Sequence, residues 1–96
     1  MVRYEYDSRL LEIAETQDET GTEFVIRFHE TAPYAEWLRK VEHYFERNRD
    51  LTDVLFYKYP GPEYRVIVRR DQVVAFLTEL FKARLLTRLE WADGTN

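Results

Sequence analysis

Alternation of apolar and polar residues predicts four β-strands after residue 22. The segments are rich in β-branched or aromatic residues, as strands in folded domains are. They cover Phe24–His29, Val54–Tyr59, Tyr64–Arg69 and Thr87–Trp91. The proline- and glycine-containing stretch Tyr59–Glu63 separates the second from the third, which predicts a hairpin with a short loop.

Two further segments repeat their apolar residues with helical spacing, which predicts helices from Pro33 to about Asn48 and from Asp71 to about Arg84. Pro33 suits a first helical turn, and Asp71 is a suitable N-cap. We expect the second helix to end before Arg84. The apolar stripes comprise Tyr34, Trp37, Leu38, Val41, Tyr44 and Phe45 in the first helix, and Val73, Val74, Phe76, Leu77, Leu80 and Phe81 in the second.

The resulting order of strand, helix, strand, strand, helix, strand predicts an α+β fold with a ferredoxin-like βαββαβ plan, in which both helices cover one face of an antiparallel sheet. Leu10–Glu15 is expected to add an N-terminal strand that pairs with Phe24–Phe28 through a turn at Gly21. A short helix starting at Asp7 or Ser8 is the alternative for this segment. Two packed ββα units are another way to group the elements, without a convincing residue-level repeat.

The chain of 96 residues is 45% hydrophobic and contains no cysteine, which predicts one core held together by packing alone. We expect a single domain, with residues 1–22 as a strand and hairpin extension, 23–92 as the βαββαβ body and 93–96 as a frayed tail. Neither a secretory signal nor a membrane span of about 20 apolar residues is recognisable, so we expect a cytoplasmic protein.

The formal net charge of −4 is unevenly distributed. Residues 1–23 hold seven acidic and two basic side chains, whereas residues 24–96 hold eleven acidic and twelve basic ones. The negative total weakly disfavours nonspecific binding of nucleic acids, because such binding depends on an excess of basic residues. The body alone is nearly neutral and rich in arginine.

Alternation along the strands separates a core face from an exposed face. The predicted inward residues are Phe24, Ile26, Phe28, Val54, Phe56, Tyr64, Val66, Val68, Leu89 and Trp91. The candidate binding residues on the opposite face are Arg27, His29, Tyr57, Tyr59, Arg65, Arg69 and Arg88. Arginines beside aromatic rings suit single-stranded RNA, whose bases stack on rings while guanidinium groups contact phosphates. A solvated sheet face, a protein partner and self-association are the other interpretations.

The acidic N-terminal segment is a second candidate surface. Its carboxylates could face a basic partner protein, or could simply keep an edge strand soluble and unpaired. The residues of this acidic strip are Glu12, Glu15, Asp18, Glu19 and Glu23.

Enzymatic readings have little support in the sequence. The three glycines form no phosphate loop, and His29 and His43 lie on different predicted elements without ligands at metal-binding spacing. We therefore expect no catalytic residues, no metal and no cofactor. A small nuclease acting through His29, Tyr57, Arg65 and Arg69 is disfavoured by the sequence pI of about 5.2.

The sequence thus predicts a small non-enzymatic interaction or regulatory protein. It would bind another protein through the open sheet face or the acidic N-terminal hairpin, and could dimerise through exposed strands. Binding of single-stranded nucleic acid on the Arg/Tyr face is the alternative, and a nuclease is the third possibility.

Overall fold

A computed structural model describes residues 2–30, 33–47, 54–61 and 63–92. The chain is an α+β structure with six strands in two antiparallel sheets and two helices. In chain order the elements are β1 (Val2–Glu5), β2 (Leu11–Gln17), β3 (Gly21–Phe28), α1 (Tyr34–Arg47), β4 (Val54–Tyr59), β5 (Glu63–Arg69), α2 (Val73–Lys82) and β6 (Arg88–Trp91).

The larger sheet has the strand order β2-β3-β5-β4, and β1 pairs with β6 in a separate two-stranded ribbon. The predicted N-terminal strand is confirmed, since Leu11 pairs with Phe28 and Gln17 with Thr22 across the Gly21 turn. The alternative prediction of a short helix in this segment is wrong. The ferredoxin-like plan places the last strand beside the first strand of the body, which is β3 here. In this structure β2 lies beside β3 and β6 pairs with β1, so the ferredoxin-like order stays a prediction.

Both helices pack on the same face of the larger sheet, where alternate strand residues and the helix stripes form one core. Four phenylalanine rings connect the layers. Phe76 of α2 lies 4.9 Å from Phe24 of β3, 6.1 Å from Phe45 of α1 and 6.1 Å from Phe56 of β4, measured between ring centroids. Phe24, Phe45 and Phe76 are fully buried and Phe56 is partly buried. Full burial of a side chain of this size contributes roughly 1.5–3 kcal/mol, so this cluster is a main source of stability.

The predicted inward orientation is confirmed for β3, β4 and β5, whose inner residues are buried or pack against the core. It is wrong for Trp91, whose side chain is 70% exposed because β6 belongs to the ribbon instead of the larger sheet. Leu89 packs partly against the core.

The second helix differs from the prediction at its start and in its width. Asp71 is not a helix N-cap, because α2 begins at Val73 after a 3-10 turn over Arg70–Gln72 and Asp71 binds Arg69 instead. Val74 and Phe81 are exposed, whereas Phe76, Leu77 and Leu80 are buried in the core and Val73 and Ala75 pack partly against it. The helix ends before Arg84, as predicted. The predicted end of α1 at Asn48 and the tail 93–96 lie outside the described residues.

Candidate interaction surface

The face of the four-stranded sheet that the helices leave uncovered, here called the outer face, carries the outward residues of four strands. Strand register aligns these residues in three rows, each running from β2 through β3 and β5 to β4. The rows are Glu12, Arg27, Glu63 and Tyr59; Ala14, Val25, Arg65 and Tyr57; and Thr16, Glu23, Ile67 and Leu55. The surface therefore mixes charged, aromatic and aliphatic side chains within one sheet.

Ion pairs join the charged residues of the outer face across β3 and β5. Arg27 donates through Nη2 to Glu63 Oε1 at 2.8 Å, and Arg65 donates through Nε to Glu63 Oε2 at 3.1 Å. Arg65 Nη1 also lies 3.7 Å from Glu23 Oε2. The hydrogen bonds from Arg27 and Arg65 hold the pKa of Glu63 below its usual range. The same bonds to Glu63 raise the pKa of both arginines.

Large apolar and aromatic groups flank this ion network on its β4 side and at one end of β5. Leu55, Tyr57, Tyr59 and Ile67 are each between 42% and 46% exposed, and Leu55 lies directly opposite Ile67. The guanidinium carbon of Arg65 lies 5.0 Å from the centroid of the Tyr59 ring, within cation–π range. Such a group of half-exposed hydrophobic side chains is typical of binding surfaces.

A shallow depression of about 320 Å³ opens at the aliphatic end of the outer face. Leu55, Ile67 and Arg69 line it together with Gly21 and neighbouring polar residues of the β2–β3 turn. Arg69 forms an ion pair with Asp71, with Nε 2.7 Å from Oδ1. The depression offers one apolar wall and one polar wall to a bound group.

The outer face has no excess of positive charge. Its arginines Arg27, Arg65 and Arg69 are matched in number by Glu12, Glu23 and Glu63, and Asp71 pairs with Arg69 at the border. Because phosphate recognition depends on unneutralised basic groups, this balance disfavours a polyanion as the partner. It suits a partner surface that itself contains both signs of charge.

Two of the predicted binding residues lie away from the others. His29 follows β3 and pairs with Glu12, with Nε2 3.5 Å from Oε2. By strand spacing it is roughly 16 Å from Tyr57, so the two do not meet at one reaction centre. Arg88 lies on the ribbon, where Glu90 binds both Arg88 and Arg3 at 3.0 Å. The structure thus brings together Arg27, Tyr57, Tyr59, Arg65 and Arg69 on one sheet face.

The acidic strip is divided among different places in the fold. Glu12 and Glu23 lie on the outer face, and Glu15 faces the other way and accepts a hydrogen bond from Tyr4. Asp18 accepts a hydrogen bond of 2.8 Å from the Thr20 hydroxyl and further bonds from the N–H groups of Thr20 and Gly21 at 2.8 and 3.0 Å. These bonds hold the pKa of Asp18 low and shape the turn. Glu19 follows in the same turn, where its carbonyl oxygen accepts from Arg70.

Sequence reasoning missed Glu63 as a site residue, because the adjacent Pro62 assigns it to the loop. The signal was its spacing from Arg65, since residues two positions apart share a face of a strand. Leu55 and Ile67 alternate with the predicted inward residues Phe56 and Val66, which places them on the outward side, and the structure adds that they face each other.

Among the residues that the structure describes, no group of three or more His, Asp or Glu side chains could hold a metal ion. Within the same residues, neither helix has the length and apolar character needed to cross a membrane. No family model, no curated protein and no solved structure matches the chain.

Proposed function

We propose that the chain is a small non-enzymatic interaction or regulatory protein that binds another protein through its outer face. The observation that carries this proposal is the row of half-exposed Leu55, Tyr57 and Tyr59 on β4, with Ile67 on β5, beside an ion network whose charges balance. Tyrosine and aliphatic side chains supply surface area that can be buried at low entropic cost, and the paired charges set the orientation of the bound partner. The partner would present apolar groups flanked by both signs of charge.

The outer face is favoured over the acidic strip as the binding surface. Of the five acidic residues, Glu15 and Asp18 are engaged in bonds that fix the strand and the turn. A basic partner would therefore meet a divided surface instead of a continuous negative one.

Binding of single-stranded RNA is the second candidate, favoured by the placement of Arg65 beside Tyr57 and Tyr59. For stacking to occur, the Tyr59 ring would have to exchange the Arg65 guanidinium for a base, and the arginines would have to leave Glu63 and Glu23. Both exchanges have a cost that a protein partner would not impose.

At the level of element order, a relation to the ferredoxin-like plan is also part of the proposal, with β2 in the place that the last strand takes in that plan.

The test compares two substitutions of equally exposed residues. Ile67→Gln alters the outer face, whereas Val74→Gln alters the exposed side of α2, and the two side chains are 44% and 41% exposed. Tagged wild-type and variant proteins would be recovered from a lysate of the source cells, with and without nuclease. We expect a protein that co-purifies in near-stoichiometric amount, survives nuclease treatment, is lost with Ile67→Gln and is retained with Val74→Gln.

Three results would contradict the proposal: no stoichiometric protein, equal loss in both variants, or a bound component that nuclease removes. The last would favour RNA. Fluorescence anisotropy with a labelled single-stranded RNA would then show affinity that falls by orders of magnitude between about 50 and 200 mM salt, and that is lost in the double variant Arg65→Ala, Arg69→Ala.

A further inference from the structure

The two edges of the larger sheet differ in how they are covered. Along β2, Tyr4 bonds to the Glu15 carboxylate and the Tyr6 hydroxyl donates to the Ile13 carbonyl at 3.3 Å. Along β4, the described part of the chain places no strand on the side away from β5. Alternate residues of an edge strand direct their N–H and C=O groups outward, so β4 offers a backbone template for another strand.

A depression of about 230 Å³ accompanies β4 on the helix side of the sheet. It is lined by Phe56 and Lys58 of β4, by Arg39 and Glu42 of α1, and by neighbouring tyrosines. Among the described residues, no lysine or arginine lies within ion-pair distance of the Glu42 carboxylate. Burial and the nearby Glu46 raise the pKa of Glu42, and this rise is opposed by His43 and Arg39 on the same helix. A further cation placed close to the Glu42 carboxylate would be stabilised by its negative charge.

The composition of β4 allows it to pair with itself. Lys58 is the only charged residue of β4. Two copies that paired through β4 would therefore bring no acidic strand residues together, although each chain carries a net charge of −4. A lysine on an edge strand disfavours pairing, and a counter-charge on the partner molecule offsets this effect. The register decides whether that is the case here.

Antiparallel pairing of β4 with β4 of a second copy requires that residues on the same face lie opposite each other. With the two-fold axis at Lys58, the two lysines would lie opposite each other and repel. With the axis at Phe56, Lys58 would lie opposite Val54. With the axis at Tyr57, Lys58 lies opposite Phe56 of the second copy, beside that copy's Glu42, and Leu55 lies opposite Tyr59.

We propose that the chain forms a two-fold symmetric dimer through antiparallel pairing of β4 with β4 of a second copy, centred on Tyr57, with Lys58 of each copy beside Glu42 of the other. The two outer faces then join into one eight-stranded surface. This goes beyond the proposed function, because the dimer forms through the backbone edge of β4, whereas the proposed partner contacts the outward side chains of the sheet.

Sedimentation velocity over a range of concentrations tests for the dimer, whose mass is twice the 11.7 kDa of one chain. Exchanging the charges tests its geometry. Lys58→Glu and Glu42→Lys should each raise the dissociation constant by about tenfold, and the double variant should restore it. Ile67→Gln on the outer face should leave the dimer unchanged. Circular dichroism of each variant checks that it is folded.

Cross-linking provides a second measurement that does not depend on the charges. The chain contains no cysteine, so Tyr57→Cys introduces a single thiol on the proposed axis. Directly opposite residues have Cα atoms about 4.5–5.5 Å apart, which suits a disulfide. The matched control Leu55→Cys places its two thiols four residues out of register, about 14 Å along the strand, which is too far.

We expect a cross-linked dimer from Tyr57→Cys and almost none from Leu55→Cys. A monomer at all concentrations together with unreacted Cys variants would overturn the proposal, as would equal cross-linking of both variants or failure of the double charge variant to restore association. Protection of β4 amides from hydrogen exchange only after a different protein is added would also overturn it, and would assign the edge to that partner.

Discussion

Arg27 and Glu63 lie directly opposite each other on β3 and β5, and the Arg27 guanidinium donates a hydrogen bond of 2.8 Å to the Glu63 carboxylate. Arg65 reaches the other oxygen of the same carboxylate from two residues away on β5. The Glu63 side chain is only 15% exposed, the least of the ionised groups on the outer face. This carboxylate therefore connects the two central strands and, together with Glu23, balances the charge of both arginines.

The lowered pKa of Glu63 predicts a specific dependence of stability on pH. A carboxylate whose folded-state pKa is below its unfolded value of 4.5 stabilises the fold above that value, and the contribution is lost as pH falls through the folded-state pKa. Glu63→Gln should therefore be less stable than wild type at neutral pH, and the difference should shrink below pH 4.5. Urea unfolding across the acid range measures this. Glu30→Gln, at an exposed position, is the control, and parallel curves for wild type and Glu63→Gln would contradict the prediction.

Gly21 begins β3 and lies directly opposite Arg69 of β5. A Cβ atom at this position would lie 2.1 Å from the carbonyl oxygen of Val68, so Gly21→Ala forces the strands apart at this end. We expect a loss of about 1–3 kcal/mol in the free energy of unfolding. Gly61→Ala is the comparison, because Gly61 has open space around it but a φ of +78°. Its cost should be about 1 kcal/mol and should disappear in Gly61→Asn, which tolerates that φ. Equal recovery in Gly21→Asn would refute the steric explanation.

The sequence predicts the inner and outer faces of β3, β4 and β5 because both helices cover one side of the sheet. Burial on one face imposes strict alternation, and Phe24, Ile26, Val66 and Val68 follow it with almost no exposure. The N-terminal strand is also predictable, since a turn of polar residues joins it to its neighbour. Local patterns are sufficient where the pairing partners are close in sequence or where one face is fully buried.

The ribbon could not be predicted in the same way. Val2 of β1 pairs with Trp91 of β6, at the opposite end of the described chain, and a four-residue strand gives too little alternation to reveal its partner. Val74 and Phe81 are apolar but exposed. Helical spacing gives the angular position of each side chain around the helix axis, but it does not give the width of the sheet surface that the helix covers. The Glu63 ion network likewise depends on the register of β3 with β5.

The two phenylalanines of α2 should respond very differently to truncation. Phe76 is fully buried among Phe24, Phe45 and Phe56, so Phe76→Ala leaves a cavity and should cost about 3–5 kcal/mol. Phe81 is 44% exposed, and Phe81→Ala should change stability by about 0.5 kcal/mol or less. Chemical denaturation of both variants measures the difference. Similar losses would mean that the exposed side of α2 is covered in solution.

Arg84 ends α2 in a left-handed conformation that usually belongs to glycine. Its φ is 69°, its N–H donates to the Phe81 carbonyl, and the N–H of Leu85 donates to the Leu80 carbonyl, which together form a Schellman C-cap. Leu80 and Leu85 are both buried and complete the motif with an apolar contact. Arg84→Gly should therefore stabilise the protein by about 0.5–1 kcal/mol, because glycine adopts this φ without a Cβ clash. Ala83→Gly is the matched control: at φ −83° glycine relieves no strain, and its greater freedom in the unfolded chain should lower stability. A thermal unfolding midpoint that falls in both variants would show that the Arg84 backbone is not strained.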